Sequence, residues 1–498
     1  MTEQQDHFYG NLLVQASLAG PIRQPGRLVR DRPADRYGFP FSERHLQCVW
    51  FDPALRPAVL RTLSGEIVTV RNPGRWNLEP GPDFLDAILT VAPGSRTISG
   101  DVEVHIHPAD WHRHGHADDP RYSGVVAHVS FFPDTMAVAP HVLRISLEDP
   151  LLSNPLFSFE SIDTTAYPWP LPHLDTPCSR FLGDCDRSAT EHLLESAGLE
   201  RIRQKVERIS SRLLRMDAEQ VFYEEVMSSL GYKNNRSQFR RLAQLVQVDE
   251  LALISDGNST NAYALLLGAS GLLPVRMSTR WDSDTRNFIR TLWDFWWKHA
   301  ARYSHLVMQR NVWQLAATRP QNHPLRRIAA AAALFCSRGK LLADLDELTS
   351  DNPAEWTGQA IDRLKESATL AYWRNRLSLQ TPPSTTPIAL LGTERASAIM
   401  SNVVLPFMAA RGMSAANVET VLRSLPPEHN NVLVSSAAKN ILGPDHNSAM
   451  YRYAIRQHGL IQIFSDFCLN SPLSCRNCAL PGLLSDHLTD TRSPVSGS

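Results

Sequence analysis

In the run Asp101-Val102-Glu103-Val104-His105-Ile106-His107, polar and apolar residues alternate strictly. Side chains on a strand point to opposite faces with period 2, so Asp101, Glu103, His105 and His107 share one face while Val102, Val104 and Ile106 fill the other. Carboxylates and imidazoles in one row are donors suited to a divalent metal. Upstream, Gly81-Pro82-Asp83-Phe84 opens another strand-like run, and antiparallel pairing of the two runs brings Asp83 near Glu103. Two carboxylates with a carbonyl and waters suit Mg2+ or Mn2+. Adding His105 and His107 opens the site to Mn2+, Fe2+ or Zn2+, because imidazole suits the borderline metals. The expected metal ligands are therefore Asp83, Glu103, Asp101 and His107, with Asp83, Glu103 and His105 carrying the chemistry.

After Pro108 the sequence places Asp110, Trp111, His112, His114, His116, Asp118 and Asp119, so six of the eighteen histidines fall between positions 105 and 128. A loop this rich in imidazole can hold a second metal, shuttle protons or meet a phosphate. Each histidine read alone is equally an ordinary surface or core residue. If the loop folds back, His114 and His116 face the site together. His128, between Ala127 and Val129 in an apolar run, reads as buried structure.

Seven cysteines in a long chain without secretory features do not form a disulfide framework. Three crowd together as Cys468-x6-Cys475-x2-Cys478, a metal-ligand spacing. Zinc and iron–sulfur clusters both take four ligands, and Cys178 and Cys185 are the candidates for the fourth.

The elements that position these residues begin with a helix over Ser42–Trp50, which Ser42 can cap and which carries Glu43 in its first turn. Strand-length, β-rich runs follow at Glu66–Val70, Phe84–Val91, Asp101–His107 and Val125–Phe132. Helix and strands make one α/β domain over residues 41–148, preceded by an N-terminal extension, 1–40. Residues 149–187, broken by Asn154-Pro155 and Pro168-Trp169-Pro170, read as a proline-rich linker. From 188 to 460 the period becomes helical, with helices at Glu191–Met216, Ala218–Leu230, Gln238–Leu245, Ala262–Gly268, Thr285–Ala301 and Leu325–Ser337, then more beyond. A cysteine motif over 461–485 and a disordered tail over 486–498 complete the chain.

Along the first long helix, Ile202, Val206, Ile209 and Leu213 form a core stripe. Arg201, Lys205, Arg208, Arg212 and Arg215 form a parallel basic stripe, either a solvated face or a track for a phosphate backbone. The basic helix start at Arg326-Arg327 offers the same two readings.

At 498 residues, with 43% hydrophobic and 20% charged residues, the chain belongs with ordinary globular proteins of two or three units. Its net charge of -1 excludes a protein that coats nucleic acid through its overall field, so any basic surface is local. Neither a signal peptide nor a run of roughly 18 apolar residues is visible, which predicts a cytoplasmic protein without a membrane partner. Oligomeric state is open.

Pro82-Asp83 followed by Glu103-x-His105 resembles the PD-(D/E)XK nuclease superfamily over about Ser42–Pro133, with histidine where lysine is usual. That resemblance implies a restriction-endonuclease-like α-β-β-β-α-β core, Mg2+ or Mn2+ on Asp83 and Glu103, Glu43 as the assisting helix carboxylate, and nucleic acid as substrate. Some members of the superfamily also staple a helical region with an iron–sulfur cluster on distant cysteines. More broadly, Arg75-Trp76-Asn77-Leu78-Glu79, Gly81-Pro82-Asp83-Phe84, Gly100-Asp101-Val102-Glu103-Val104-His105, Asp110-Trp111, His114-Gly115-His116 and the run from Gly459 to Cys478 resemble a bacterial family known as domain of unknown function number twenty-eight fifty-one. The leading expectation is a metal-dependent nuclease. The alternatives are a nuclease-like protein that binds nucleic acid or a partner without cutting, and a metal-dependent hydrolase of a small phosphoester or amide.

Overall fold

The computed structural model describes residues 8–18, 41–79, 81–133, 141–169, 175–232, 234–315, 319–348, 352–428, 431–469, 475 and 478–489. Most of the expected N-terminal extension, the Pro170–Leu174 stretch of the expected linker and all but the start of the expected tail lie outside them. The chain divides into two compact units: Met1–Ala197 with Val432–Asn447 and Gly459–Ser498, and Gly198–Asn431 with Ser448–His458.

The first unit holds helices α1 (Phe8–Leu18) and α2 (Glu43–Phe51) and strands β1 (Leu60–Arg61), β2 (Ile67–Asn72), β3 (Arg75–Trp76), β4 (Phe84–Ala92), β5 (Arg96–His105), β6 (Val125–Ser130) and β7 (Leu143–Ser146). They form one mixed sheet in the order β1-β2-β4-β5-β6-β7, with β3 also on β4. Pairing is antiparallel through β5, then parallel from β5 to β6 and β6 to β7. A bridge between Thr62 and Ile145 ties the β1 end to β7, so the sheet is nearly closed. The four expected strands are present, and β1, β3 and β7 are additions, each too short to show a period.

Ser42 stands at the N-cap of α2 in extended conformation, its N–H donating to His45 Nδ1 at 3.3 Å. The helix buries Leu46, Val49 and Trp50 against Phe84, Leu89, Val102, Val104, Ala127, Val129 and Ile145. This core takes one face of β5 and leaves the row of Asp101, Glu103 and His105 on the other.

Where a linker was expected, residues 148–187 carry helices α4 (Glu148–Leu152) and α5 (Pro177–Gly183), with α3 (Asp110–Arg113) preceding them between β5 and β6. Pro177 takes the first position of α5, where proline's missing N–H costs no helix hydrogen bond. Helix α1 belongs to the same unit: Tyr9 N–H donates to Ser196 Oγ at 3.0 Å and its hydroxyl to Asp466 Oδ2 at 3.0 Å.

The second unit is largely helical. Helix α6 (Arg187–Leu213) buries Ile202 and Ile209 on the expected stripe, and α7 (Ala218–Leu230) starts where Asp217 Oδ1 accepts the Glu219 and Gln220 N–H groups. Two members of the expected basic stripe, Arg208 and Arg212, turn inward, while Arg215 lies past the end of α6 and is exposed. Arg208 Nη1 lies 2.5 Å from Glu225 Oε1, and Arg212 reaches Glu224 Oε2 and Glu225 Oε1, each at 2.6 Å. Arg240, in α8 (Arg236–Leu245), adds a contact of 3.2 Å to Glu225. Burial raises the Glu225 carboxyl, but Arg208, Arg240 and Arg212 outweigh it and hold that carboxyl well below its usual range. Arg208 and Arg212 are thus committed to internal ion pairs. Arg326 and Arg327 are likewise buried, donating to the carbonyls of Ala389 at 3.0 Å and Leu390 at 2.8 Å. Among the described residues no helix is long and apolar enough to cross a membrane.

A candidate histidine–carboxylate metal centre

Phe84 pairs with Val102 in the antiparallel β4–β5 ladder, so Asp83 falls opposite Glu103. Asp83 N–H donates to Glu103 Oε2 at 3.1 Å, and Val104 N–H donates to Asp83 Oδ2 at 2.9 Å. Gln47, one turn along α2 from Glu43, donates to Asp83 Oδ1 at 2.7 Å. Glu43 lies close enough to act on both carboxyls.

Three histidines join them. One ring nitrogen each of His105, His114 and His116 lies within 4.8 Å of the other two. Glu103 Oε1 sits 3.3 Å from His105 Nε2 and 3.2 Å from His116 Nε2. The loop folds back because α3 ends in a turn: His114 and Gly115 N–H groups close on Asp110 and His112 carbonyls, and Gly115 takes φ of +75°. A side chain at that φ is strained, so glycine permits the reversal. His116 then docks by N–H donation to Trp111 O at 3.1 Å and stacks on Tyr122 with centroids 3.9 Å apart.

His128 supports from behind. Its Nε2 lies 2.9 Å from His105 Nδ1. When His105 donates that Nδ1 proton to His128, its Nε2 lone pair faces His116 and Glu103, the arrangement by which outer partners orient metal-ligating histidines. His116 Nε2 is buried and makes no hydrogen bond. A buried polar nitrogen without a hydrogen bond is costly, and a cation would satisfy it.

Burial lowers His105 well below its ordinary value, with His128, His116 and His114 adding to the effect, and burial likewise lowers His114 and His116. Burial raises Glu103 to about 8; the Asp83 N–H pulls down and Glu43 pushes up. Asp83 is pushed well above its usual value by burial, then by Glu103 and Glu43. At neutral pH the cluster therefore presents neutral imidazoles, the form that ligates metals. The Glu103–histidine contacts join neutral groups, not an ion pair.

These shifts predict how the metal-free protein responds to pH. Burial holds His128 and His45 at about 4 against 6.5 in the unfolded chain, so the unfolded chain binds more protons between those values. Stability then falls as pH drops from 6.5 towards 4, by about 3 kcal/mol for each histidine. Glu103 works oppositely: its folded value of about 8 exceeds the unfolded 4.5, so stability falls as pH rises towards 8. Denaturant unfolding is expected to give greatest stability near pH 6.5, with Glu103→Gln steepening the rise between 4.5 and 6.5 and flattening the fall above it. An unchanged alkaline side in that variant would contradict the assignment.

The remaining expected residues are placed as follows. Asp101 Oδ1 accepts the Asp86 N–H at 3.1 Å, capping a β4 bulge where Asp86 takes φ of +61°. His107 lies beyond the last β5–β6 pair, His105–Ser130, and stacks on Phe132 with centroids 4.8 Å apart. Arg113 pairs with Asp110. Two contributors went unnoticed in the sequence. Gln47 holds Asp83, and buried Arg44 lies over Trp76 at 5.0 Å and acts on the Asp83 charge while donating to Thr164 and Pro168 carbonyls. Their signal was the spacing Glu43, Arg44, Gln47 on one helical turn and the next.

The class defined by this geometry is a protein whose mixed, nearly closed sheet carries a histidine–carboxylate cluster and is followed by a largely helical region. The chain belongs to the family described as protein of unknown function (DUF2851), whose model matches residues 43–431. No curated protein and no solved structure matches it.

Proposed function

We propose that the protein is a metal-dependent hydrolase of phosphodiester bonds in nucleic acid, with a divalent ion held by His105, His114, His116 and Glu103. The observation that carries this reading is Glu103: one oxygen lies between two histidine nitrogens and the other anchors the Asp83 backbone. A bound ion supplies charge for the phosphate oxygens and acidifies a water. Around it, His128 fixes the His105 ring, Glu103 orients Asp83, and Asp83 and Glu43 are carboxyl groups placed to exchange a proton. Arg44, on α2, offers a positive charge near Asp83, while His105 stands at the position where the nuclease pattern has a lysine.

The PD-(D/E)XK likeness supports the same reading. It rests on the order of helix α2, the antiparallel strands β2, β4 and β5, the short helix α3 and the parallel strand β6, with the two-residue strands β1 and β3 set between them. Three histidines favour Mn2+, Zn2+ or Fe2+ over Mg2+. A second reading, hydrolysis of a small phosphoester, draws on burial, since His105 is 1% and Glu103 5% exposed.

The test is turnover of single- and double-stranded DNA, RNA and bis(p-nitrophenyl) phosphate by metal-stripped protein, with Mg2+, Mn2+ or Zn2+ restored separately. Polynucleotide cleavage that appears with Mn2+ or Zn2+ and vanishes with chelator is expected. Cleavage of the small diester alone selects the second reading. Salt-dependent nucleic-acid binding without turnover in any metal overturns both.

A further inference from the structure

The C-terminal cysteines belong to the first unit but play no part in the cluster described above. Cys178 is buried in the first turn of α5, and its thiol hydrogen-bonds with that of Cys478. Cys468 and Cys475 lie close enough to interact electrostatically with Cys178, and Cys475 and Cys478 with Cys468. The four come from three local structures. Cys468 sits in the π-helical turn Phe464–Leu469, Cys475 and Cys478 in a turn closed by Cys478 N–H on Cys475 O at 3.3 Å, and the helix Leu480–Thr489 that follows packs on α5. All four are free thiols. Cys185, two residues past the end of α5, is half-buried.

We propose that Cys178, Cys468, Cys475 and Cys478 hold a metal centre through four thiolates, either one Zn2+ or an iron–sulfur cluster. Four sulfurs from three segments, one of them far upstream in sequence, lie in one neighbourhood around the Cys178–Cys478 contact, and they supply the ligand number and donor type that both centres require; a bound metal would draw them to ligand spacing. On metal binding the thiols release their protons to solvent and four metal–sulfur bonds form, with no change in sulfur oxidation state. The centre fastens the C-terminal helix to α5. This inference is independent of the histidine cluster.

The test uses the full chain, expressed with iron and zinc supplied and purified without oxygen, followed by zinc, iron, acid-labile sulfide and visible absorbance. Beyond any ion at the histidine cluster, about one zinc, or about four iron with about four sulfide and a brown colour, is expected per chain. In a Glu103→Ala background, which removes any ion at the histidine cluster, Cys178→Ser, Cys468→Ser, Cys475→Ser and Cys478→Ser should each lower the zinc or iron content about tenfold or more. Cys185→Ser and Cys336→Ser should leave it unchanged. In wild type, chelator should release the metal, lower the melting temperature and expose four thiols to a thiol reagent, a readout that does not depend on the variants folding. Metal below about a tenth per chain, a Cys178–Cys478 disulfide in the purified protein, or loss of metal in Cys185→Ser overturns the assignment.

Discussion

Glu103→Ala is expected to abolish ion binding at the histidine cluster and to lower kcat/KM for phosphodiester cleavage about 10^3-fold, roughly 4 kcal/mol of transition-state stabilisation. The size follows from two roles in one side chain. Oε1 lies within 3.3 Å of both His105 and His116 nitrogens, and Oε2 takes the Asp83 N–H at 3.1 Å. Alanine removes a metal donor and leaves a buried N–H unpaired. Glu103→Gln separates these effects: its amide oxygen can still accept from Asp83, while the ionisable donor is gone. Calorimetric Mn2+ or Zn2+ titration beside steady-state cleavage gives the comparison. Turnover by Glu103→Ala at the wild-type rate would remove the cluster from the chemistry.

The largest stability effect lies in the second unit. Glu225→Ala is expected to lower unfolding free energy by about 3–5 kcal/mol, because Arg208, Arg212 and Arg240 lose a common buried partner. Glu224 takes up part of the charge through Arg212 at 2.6 Å, which makes Glu224→Ala,Glu225→Ala more damaging than the sum of the single changes. Urea unfolding followed by circular dichroism measures both. A loss below about 1 kcal/mol for Glu225→Ala would mean that the network is not holding these helices together.

Strand β5 was legible because its alternation is strict and its register is uninterrupted; the bulges that adjust pairing fall on β4 and β6 instead. Asp83 and Glu103 meet for the reason their positions suggested, an antiparallel ladder. Pattern stops being informative where pairing ends, and His107 shows it: two residues beyond the last ladder pair, period 2 no longer fixes a face. His114 and His116 depended on a reversal at Gly115, which a sequence marks only as permitted. The arginines of α6 could not be assigned from their own helix, since Glu224 and Glu225 lie on the next one. Strands of two residues, such as β1 and β3, carry no period at all.

The Thr62–Ile145 bridge also bears on how the protein meets others. A sheet with open margins offers unpaired N–H and C=O groups to any extended segment, which is how strand addition and edge-to-edge aggregation begin. Here the first and last strands are fastened to each other, with Leu63 N–H donating to Arg144 O at 3.0 Å beside the bridge. The molecule is thereby protected against growing its sheet into a neighbour, and recognition through this sheet falls to side chains rather than to shared backbone hydrogen bonds.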